Sequence, residues 1–318
     1  MQSNKQILET FTIDSLPNLD TVVLGALEML EARQVPQLDT GRYRRPLVVG
    51  SGNAEATGRI IFANSDAVFA SESTVEAALR NIADIDGVVI VSASGGKHAP
   101  LIAKAAAAAG KPVSLITSNA NSPAEQALST DALQAFVFPK NREPYTYNTS
   151  TYMAMIQGYE QADIAAIRRF IAEHIDALEL PDFSRFNKYY LIVPPQFSGI
   201  IRMLQVKFIE LFGREVARDV ETSEYVRHAT TVVPSEDELF ISFGEENTTW
   251  GQPENRLSVP LPSDAGYVAM MAVGYYIVGN IQAAKPQYFK QNIESYCQFI
   301  SGVFDEEIGV IVEGNEER

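Results

Sequence analysis

The chain has 318 residues, of which 46% are hydrophobic and 20% are charged, a globular composition that argues against a fibrous or disordered chain. Asp and Glu number 40 against 25 Lys and Arg, so the formal net charge is −15. Such a field repels long polyanions, so we expect neither nucleic acid nor an anionic membrane surface as a partner. At roughly 150 residues per domain, this length predicts two domains, which we place at residues 1–165 and 166–318.

Cysteine usage and the termini favour a soluble, cytoplasmic protein. Cys297 is the only cysteine, so an intrachain disulfide and a cysteine-rich zinc site are excluded, and we expect no metal and no cofactor. The amino terminus lacks the basic segment and apolar core of a signal peptide. The uncharged stretch 265–284 has membrane-spanning length, but its Gly, Asn and Gln residues and the lack of flanking basic clusters favour a buried helix.

The first half of the chain alternates buried strands with helices. Helical spacing of apolar residues over 16–34 comes first. Strands are then predicted at 46–50, 66–71, 87–91, 112–117 and 136–138, with helices at 54–62, 74–83, 100–109 and from 124 onwards. This alternation predicts a parallel sheet covered by helices.

The second half repeats this pattern without obvious sequence identity to the first. A long helix is predicted over 152–178, followed by strands at 188–193, 215–219, 239–243 and 257–261, with a helix at 199–211. The predicted fold class is therefore α/β, with two doubly wound parallel-sheet domains in tandem and flanking helices. We place the boundary between residues 165 and 187.

Four strand-to-helix turns of the first half are rich in Ser, Gly, Asn and Thr: residues 50–53, 70–73, 92–97 and 117–122. In parallel α/β sheets, ligands bind beyond the carboxyl ends of the strands. Small polar residues there allow backbone N–H groups and hydroxyls to converge on an anion. Any one such turn is more often an ordinary polar loop, but four at one edge favour a binding site.

Dinucleotide binding is the main alternative for this edge. Gly50-Ser51-Gly52 follows a predicted strand, and Glu72 lies about 20 residues further on, where a ribose-binding acid would sit. The third glycine of the dinucleotide motif would have to be residue 55, which is Glu55. The remaining Gly-x-Gly is weak evidence for this class of ligand.

Residues 87–128 resemble the core signature of sugar isomerase (SIS) domains: a strand, Ser-x-Ser-Gly, a helix ending in Gly, a strand ending in Ile-Thr and a Ser-Pro helix start. The resemblance is specific over roughly residues 46–155, and it implies that the chain binds a small phosphorylated sugar. The phosphate ligands it implies are Ser51, Ser92 and Ser94. The composition of the loop adds the amides of Gly95 and Gly96 and the charge of Lys97, and further substrate contacts are expected at Asn53, Glu72, Thr149 and Ser150. Lys97 stands where the family usually has Thr or Ser.

The second half more faintly resembles the catalytic half of two-domain SIS enzymes, such as the isomerase part of glucosamine-6-phosphate synthase and the phosphoglucose/phosphomannose isomerases. Their Lys-x-x-Glu helix corresponds to Lys207 and Glu210, their following histidine to His228, and their carboxyl-terminal lysine to Lys290. Positions i and i+3 of a helix allow the first two side chains to meet. The alternatives are a surface ion pair, a surface histidine beside Arg227 and a solvated lysine.

The resemblance implies a phosphosugar aldose–ketose isomerase, or a related enzyme that adds or removes an amine on a ketose phosphate. Glu210 would carry the proton through an enediol, Lys207 would keep that carboxylate ionised, His228 would open the sugar ring and Lys290 would guide the ring oxygen. A homodimer is expected on the same basis. The alternative function is a non-catalytic phosphosugar sensor that controls a partner protein.

Overall fold

The computed structural model describes residues 3–129, 131–229 and 233–315. It divides the chain into two compact units, each with one main parallel sheet. The five-stranded unit consists of Ala32–Lys140, Ser150–Ala162 and Gly314–Arg318. The four-stranded unit consists of Met1–Glu31, Asn141–Thr149 and Asp163–Glu313. This division differs from the single boundary at 165/166, because the amino-terminal segment groups with the second half of the chain.

The helices are α1 (Asn4–Thr10), α2 (Leu19–Ala32), α3 (Asn53–Ile61), α4 (Val75–Asn81), α5 (Ala99–Ala108), α6 (Pro123–Gln126), α7 (Thr149–Glu160), α8 (Ile164–Phe170), α9 (Ile201–Phe212), α10 (Val226–Ala229), α11 (Tyr267–Ala284) and α12 (Tyr288–Phe304). The strands are β1 (Pro46–Val49), β2 (Val68–Ala70), β3 (Gly87–Val91), β4 (Val113–Thr117), β5 (Leu133–Val137), β6 (Glu143–Pro144), β7 (Lys188–Val193), β8 (Ala217–Thr222), β9 (Glu238–Phe243), β10 (Arg256–Val259) and β11 (Ile311–Val312).

The five-stranded sheet has the order β2-β1-β3-β4-β5, and all its strands are parallel. Every residue of β1, β3 and β4 is buried, which explains their unbroken apolar runs, since helices cover both faces of such a sheet. The predicted strands are confirmed, although β5 starts three residues earlier than expected. The order reverses between β1 and β3, and ligands bind at such a switch point in doubly wound folds.

The four-stranded sheet has the order β10-β9-β7-β8 and is also parallel. The predicted buried helix over 265–284 is found as α11, in which 13 residues are buried. No helix in the described parts of the chain has both the length and the apolar character that a bilayer-spanning segment needs. A short antiparallel pair of β6 and β11 also belongs to this unit.

Helix α2 shows why the amino-terminal segment groups with the second half. Its first backbone N–H, that of Leu19, donates to the Gln282 side chain on α11 over 2.9 Å. A Cβ added to Gly279 on α11 would lie 2.1 Å from the Asp20 nitrogen. Only a glycine permits this approach of α2 to α11, and a contact so distant in sequence has no local signature.

The single long helix predicted over 152–178 is wrong. Helix α7 ends at Glu160, and Gln161 adopts a left-handed conformation with φ of 53°. The Gln157 side chain then satisfies both the N–H and the carbonyl of Ala162. Asp163 caps the new helix α8 by accepting from the Ala166 N–H over 3.0 Å. Side-chain hydrogen bonds thus replace the backbone bonds that a continuous helix would have made.

Candidate functional site

The loop 92–97 follows β3 at the switch point of the five-stranded sheet. Gly95 has φ of 62°, and a Cβ built on it would lie 2.5 Å from the Ser122 Cβ. The Gly95 carbonyl also accepts from the Ala124 N–H over 2.8 Å. Glycine is therefore required at residue 95 by both its conformation and the adjoining turn.

Hydrogen bonds inside this loop already engage the two glycine amides that the sequence analysis assigns to phosphate. The Gly95 N–H donates to Ser92 Oγ over 3.1 Å, and the Gly96 N–H donates to Ser94 Oγ over 3.2 Å. A bound phosphate would therefore exchange these internal bonds for bonds to its own oxygens. The hydroxyls of Ser92 and Ser94 hold the loop in its present conformation, and Lys97, with φ of 50°, is exposed beside them.

A cavity of about 90 Å³ opens at this loop, and its lining includes Ser51, Glu72, Ser92, Ser94, Gly96, Lys97 and His98. A water needs only about 10–15 Å³ of such volume, so the cavity has room for an oxyanion group. Glu72 and His98 face each other there, with 3.8 Å between Oε1 and Nε2. Six of the predicted residues are thus brought together by the structure.

Asn53, Thr149 and Ser150 are placed differently. Asn53 begins α3, and its Oδ1 is buried without a hydrogen-bond partner among the described residues. Thr149 and Ser150 are completely buried. The Thr149 N–H donates to the Glu143 carboxylate over 2.7 Å. None of these three residues lines the cavity at loop 92–97.

Lys207 lies on α9 in the four-stranded unit, and its side chain is 0% exposed. Its ammonium donates to the Tyr147 carbonyl and to Glu210 Oε2, each over 2.7 Å, and to the Thr146 carbonyl over 3.1 Å. The rings of Tyr147 and Tyr275 lie within 5.6 Å of it. These contacts offset the cost of removing a charge from water. The expected contact with Glu210 is present, and it is not a surface ion pair.

Glu210 is 19% exposed and lines a cavity of about 450 Å³. Burial raises the pKa of this carboxyl, and the attraction and hydrogen bond of Lys207 offset only part of that rise. A carboxyl group with a raised pKa is closer to the range in which it can both accept and return a proton near neutral pH. The cavity is lined by Thr146, Ile209, Glu210, Gly213, Arg214, Arg218, Tyr288, Phe289, Asn292, Ile293 and Tyr296.

The segment before α7 turns two carbonyls toward Lys207 through unusual backbone conformations. Thr146 has φ of 75° and Asn148 has φ of 45°. A positive φ is a genuine outlier for a β-branched residue and requires support from surrounding structure. Thr146 Oγ1 is buried without a hydrogen-bond partner in the described ranges, at the wall of the Glu210 cavity. Sequence reasoning missed this residue, since no glycine or turn motif marks its conformation.

The structure does not bring His228 or Lys290 to the Glu210 cavity. His228 is exposed on α10, where its Nε2 accepts from Arg227 Nε over 3.3 Å. Lys290 lies on α12, but the residues of α12 that line the cavity lie on a different face of that helix. Burial lowers the pKa of Lys290, and the Asp20 carboxylate opposes that shift. Among the described residues, no cluster of three or more His, Cys, Asp or Glu could hold a metal ion.

Solved structures share this fold over most of the chain. The C-terminal domain of glucosamine-fructose-6-phosphate aminotransferase from Francisella tularensis has a TM-score of 0.58 at 10% identity, covering 88% of this chain and 98% of that one. Glucosamine-6-phosphate deaminase from Thermotoga maritima has a TM-score of 0.58 at 12% identity, with 83% and 92% covered. Tagatose-6-phosphate ketose/aldose isomerase from Escherichia coli has a TM-score of 0.54 at 13% identity, with 88% and 91% covered.

No family model and no curated protein sequence matches the chain. The similar structures confirm the predicted fold class: the chain has the α/β fold of the SIS proteins, with two parallel sheets. At these identities the likeness establishes the fold alone. The residues of the two cavities carry any argument about chemistry.

Proposed function

We propose that the chain is a phosphosugar aldose–ketose isomerase, or a closely related enzyme that adds or removes an amine on a ketose phosphate. The observation that carries the proposal is the pair of Lys207 and Glu210. A buried ammonium at 2.7 Å holds a carboxylate at the wall of a 450 Å³ cavity. An acid–base residue needs this combination of fixed position, raised pKa and access to a ligand. The similar folds of phosphosugar isomerases and deaminases support the substrate class.

We propose that Ser51, Ser92, Ser94 and Lys97 bind the phosphate of a sugar, and, as a separate proposal, that Glu210 transfers a proton. The Glu210 carboxylate takes the proton from C2 of the open-chain aldose. The C–H electron pair forms the C1–C2 double bond, and the carbonyl oxygen takes the negative charge of the enediolate. Return of the proton from Glu210 to C1, together with transfer of the O2 hydroxyl proton to O1, forms the C2 carbonyl and completes the ketose. Lys207 holds the carboxylate in place, while ring opening by His228 and guidance of the ring oxygen by Lys290 remain predictions.

A non-catalytic phosphosugar-binding regulatory protein is the second candidate function. The placement of His228 and Lys290 favours it, because neither residue lines the Glu210 cavity. Such a protein would bind sugar phosphates through loop 92–97 without exchanging the C2 proton.

We also propose, on the sequence resemblance, that the protein is a cytoplasmic homodimer. Light scattering on the purified chain tests the oligomeric state.

Proton exchange in deuterated water separates the two functions. The wild-type protein is incubated with fructose 6-phosphate, glucose 6-phosphate, mannose 6-phosphate and glucosamine 6-phosphate, and deuterium at C1 or C2 is read by NMR. We expect incorporation with at least one sugar and its loss in Glu210→Gln, with affinity nearly unchanged. Glu215→Gln, an exposed residue after the same helix, is the matched control. Binding without exchange in the wild type would instead support a non-catalytic, regulatory function.

A further inference from the structure

The cavity at loop 92–97 contains a histidine to which the proposed function gives no role. His98 lines this cavity together with the serines assigned to phosphate. Its side chain is 58% exposed, so a ligand can reach the ring. His98 directly precedes α5, but its ring does not cap that helix. In the described parts of the chain its one polar side-chain contact is with Glu72 over 3.8 Å, which is longer than a hydrogen bond. Neither capping nor hydrogen bonding therefore explains a histidine at this position.

The charges at the cavity wall leave a bound phosphate incompletely balanced. The titratable groups of the lining are Glu72, Lys97 and His98. The charges of Glu72 and Lys97 cancel, so with a neutral imidazole the lining carries no net charge. A phosphomonoester carries two negative charges above about pH 6. A histidine side chain changes its charge between about pH 5 and 8, so His98 is the lining group that can supply a positive charge by taking up a proton.

Other charges near α5 do not enter the cavity. Helix α5 packs against β3, β4, α4 and α6, and the two strands carry no titratable side chain. On α4, Glu76 and Arg80 pair with each other over 3.6 Å. The remaining charged groups are Glu125 on α6 and Lys104 on α5 itself. None of these four residues lines the cavity.

Four influences therefore act on the His98 ring. Lys97 and the positive end of α5 disfavour an imidazolium, whereas Glu72 and a bound anion favour it. Of these, only the anion comes and goes with the ligand. Binding a dianion therefore shifts the ring toward its charged form.

We propose that His98 is a further ligand of the phosphate, which it binds as an imidazolium, and that binding of a phosphorylated sugar therefore takes up a proton from the solvent. The proton adds to the ring nitrogen that carries none in the neutral imidazole, and no covalent bond of the sugar changes. This inference rests on the part of the proposed function that assigns phosphate to loop 92–97, and it is independent of proton transfer by Glu210. It makes His98 a residue that selects a doubly charged phosphate over a singly charged anion.

Affinity should then depend on pH in a definite direction. A ligand that binds together with a proton binds more tightly as pH falls, because protons are more abundant. The gain ends near about pH 6, where the phosphate itself becomes protonated and loses one charge. We expect the dissociation constant of fructose 6-phosphate to fall about threefold to tenfold between about pH 8 and about pH 6.5.

The proton is counted by calorimetry of the wild-type protein. Fructose 6-phosphate is titrated at about pH 7.5 in two buffers that differ in ionisation enthalpy, and the difference in heat gives the number of protons taken up. We expect about 0.3 to 0.8 proton per bound sugar, since the free phosphate is already a dianion at this pH. Uptake close to zero, or release, would overturn the proposal. Absence of binding by both fructose 6-phosphate and inorganic phosphate would overturn it together with the phosphate assignment.

Variants identify the group that takes the proton. In His98→Gln the uptake should vanish, and binding at about pH 6.5 should weaken about tenfold, because a charge-assisted hydrogen bond is lost. His174→Gln, which replaces an exposed histidine of the four-stranded unit, should keep both. Uptake that persists in His98→Gln would refute the assignment, and its loss in Glu72→Gln would then identify Glu72 as the group that takes the proton.

A sulfate ester tests the selection for charge. Fructose 6-sulfate keeps a single negative charge over this pH range. At about pH 6.5 the wild-type protein should bind the phosphate about tenfold or more tightly than the sulfate. His98→Gln should reduce this preference and His174→Gln should keep it, and a preference unchanged in His98→Gln would contradict the selective role.

Failure of the proposed isomerase function gives a different result from failure of this inference. In the first case C1 and C2 exchange no proton with any sugar, while proton uptake on binding and its loss in His98→Gln are still observed.

Discussion

Replacing Lys207 by Met removes a completely buried ammonium and retains most of its volume. Glu210 then loses its counterion, and the carbonyls of Thr146 and Tyr147 lose the donor that approaches them at 3.1 and 2.7 Å. Breaking a buried ion pair by removing one partner costs about 3–5 kcal/mol. We expect Lys207→Met to lower the free energy of unfolding of the four-stranded unit by about that amount.

The chain offers a local reporter for this measurement. Its only tryptophan, Trp250, belongs to the four-stranded unit and packs against the cluster that contains Tyr190 and Phe240. Urea unfolding followed by tryptophan fluorescence therefore reads the unit that contains Lys207. Lys104→Met is the matched control, because Lys104 is exposed on α5 in the other unit. It should leave this transition unchanged.

The pH dependence of the same variant tests the cause of the loss. Burial raises the pKa of Glu210 and Lys207 lowers it, so the pKa should rise further in Lys207→Met. A raised folded-state pKa stabilises the protein below the unfolded pKa, and this stabilisation is lost as pH rises through the folded value. The variant should therefore recover stability toward acidic pH, and Lys207→Met with Glu210→Gln should cost less than Lys207→Met alone. A loss below about 1 kcal/mol, the usual limit for a surface pair, would refute this reasoning.

Two further substitutions probe other parts of the structure. Burial raises the pKa of Asp20 against the attraction of Lys290, so Asp20→Asn should raise the melting temperature relative to wild type. Followed by Trp250 fluorescence, the gain should be larger at pH 8 than at pH 4. An equal gain at the two pH values would contradict burial of a charged Asp20 as its cause. Gly95→Ala should cost at least about 1 kcal/mol of stability and weaken fructose 6-phosphate binding, because its Cβ meets Ser122 at 2.5 Å. Gly96→Ala is the control, since its nearest contact is 3.4 Å from Ser94 Oγ, and equal effects of the two substitutions would refute the steric argument.

Much of the fold could be predicted because local sequence determines it. Continuous apolar runs predict β1, β3 and β4, since both faces of these strands are buried. Loop 92–97 could be located because the composition of a strand-to-helix turn is visible in sequence. The contact of Lys207 with Glu210 follows from helical geometry at i and i+3. The complete burial of Lys207 does not follow from it, because that burial depends on Thr146 and Tyr147, which lie 61 and 60 positions earlier in the chain.

The features that sequence reasoning missed depend on side-chain bonds and long-range packing. The break after α7 needs Gln161 in a left-handed conformation, and no glycine or proline marks it. Helix α12 was not predicted, although its residues line the Glu210 cavity. The grouping of α2 with the second half rests on a close approach at Gly279. The break after α7 and the approach at Gly279 leave no periodic signal in the sequence. Helix α12 does leave one, because its buried residues Phe289, Ile293, Cys297 and Ile300 follow helical spacing.

A calorimetric titration with fructose 6-phosphate tests most directly whether loop 92–97 holds the phosphate. We expect the wild-type protein to bind, and Ser92→Ala with Ser94→Ala to weaken binding about tenfold or more, since hydroxyl contacts to a charged group are lost. Ser129→Ala, an exposed serine of the same unit, should bind as the wild type does. Equal dissociation constants for all three proteins would contradict the assignment of phosphate to this loop.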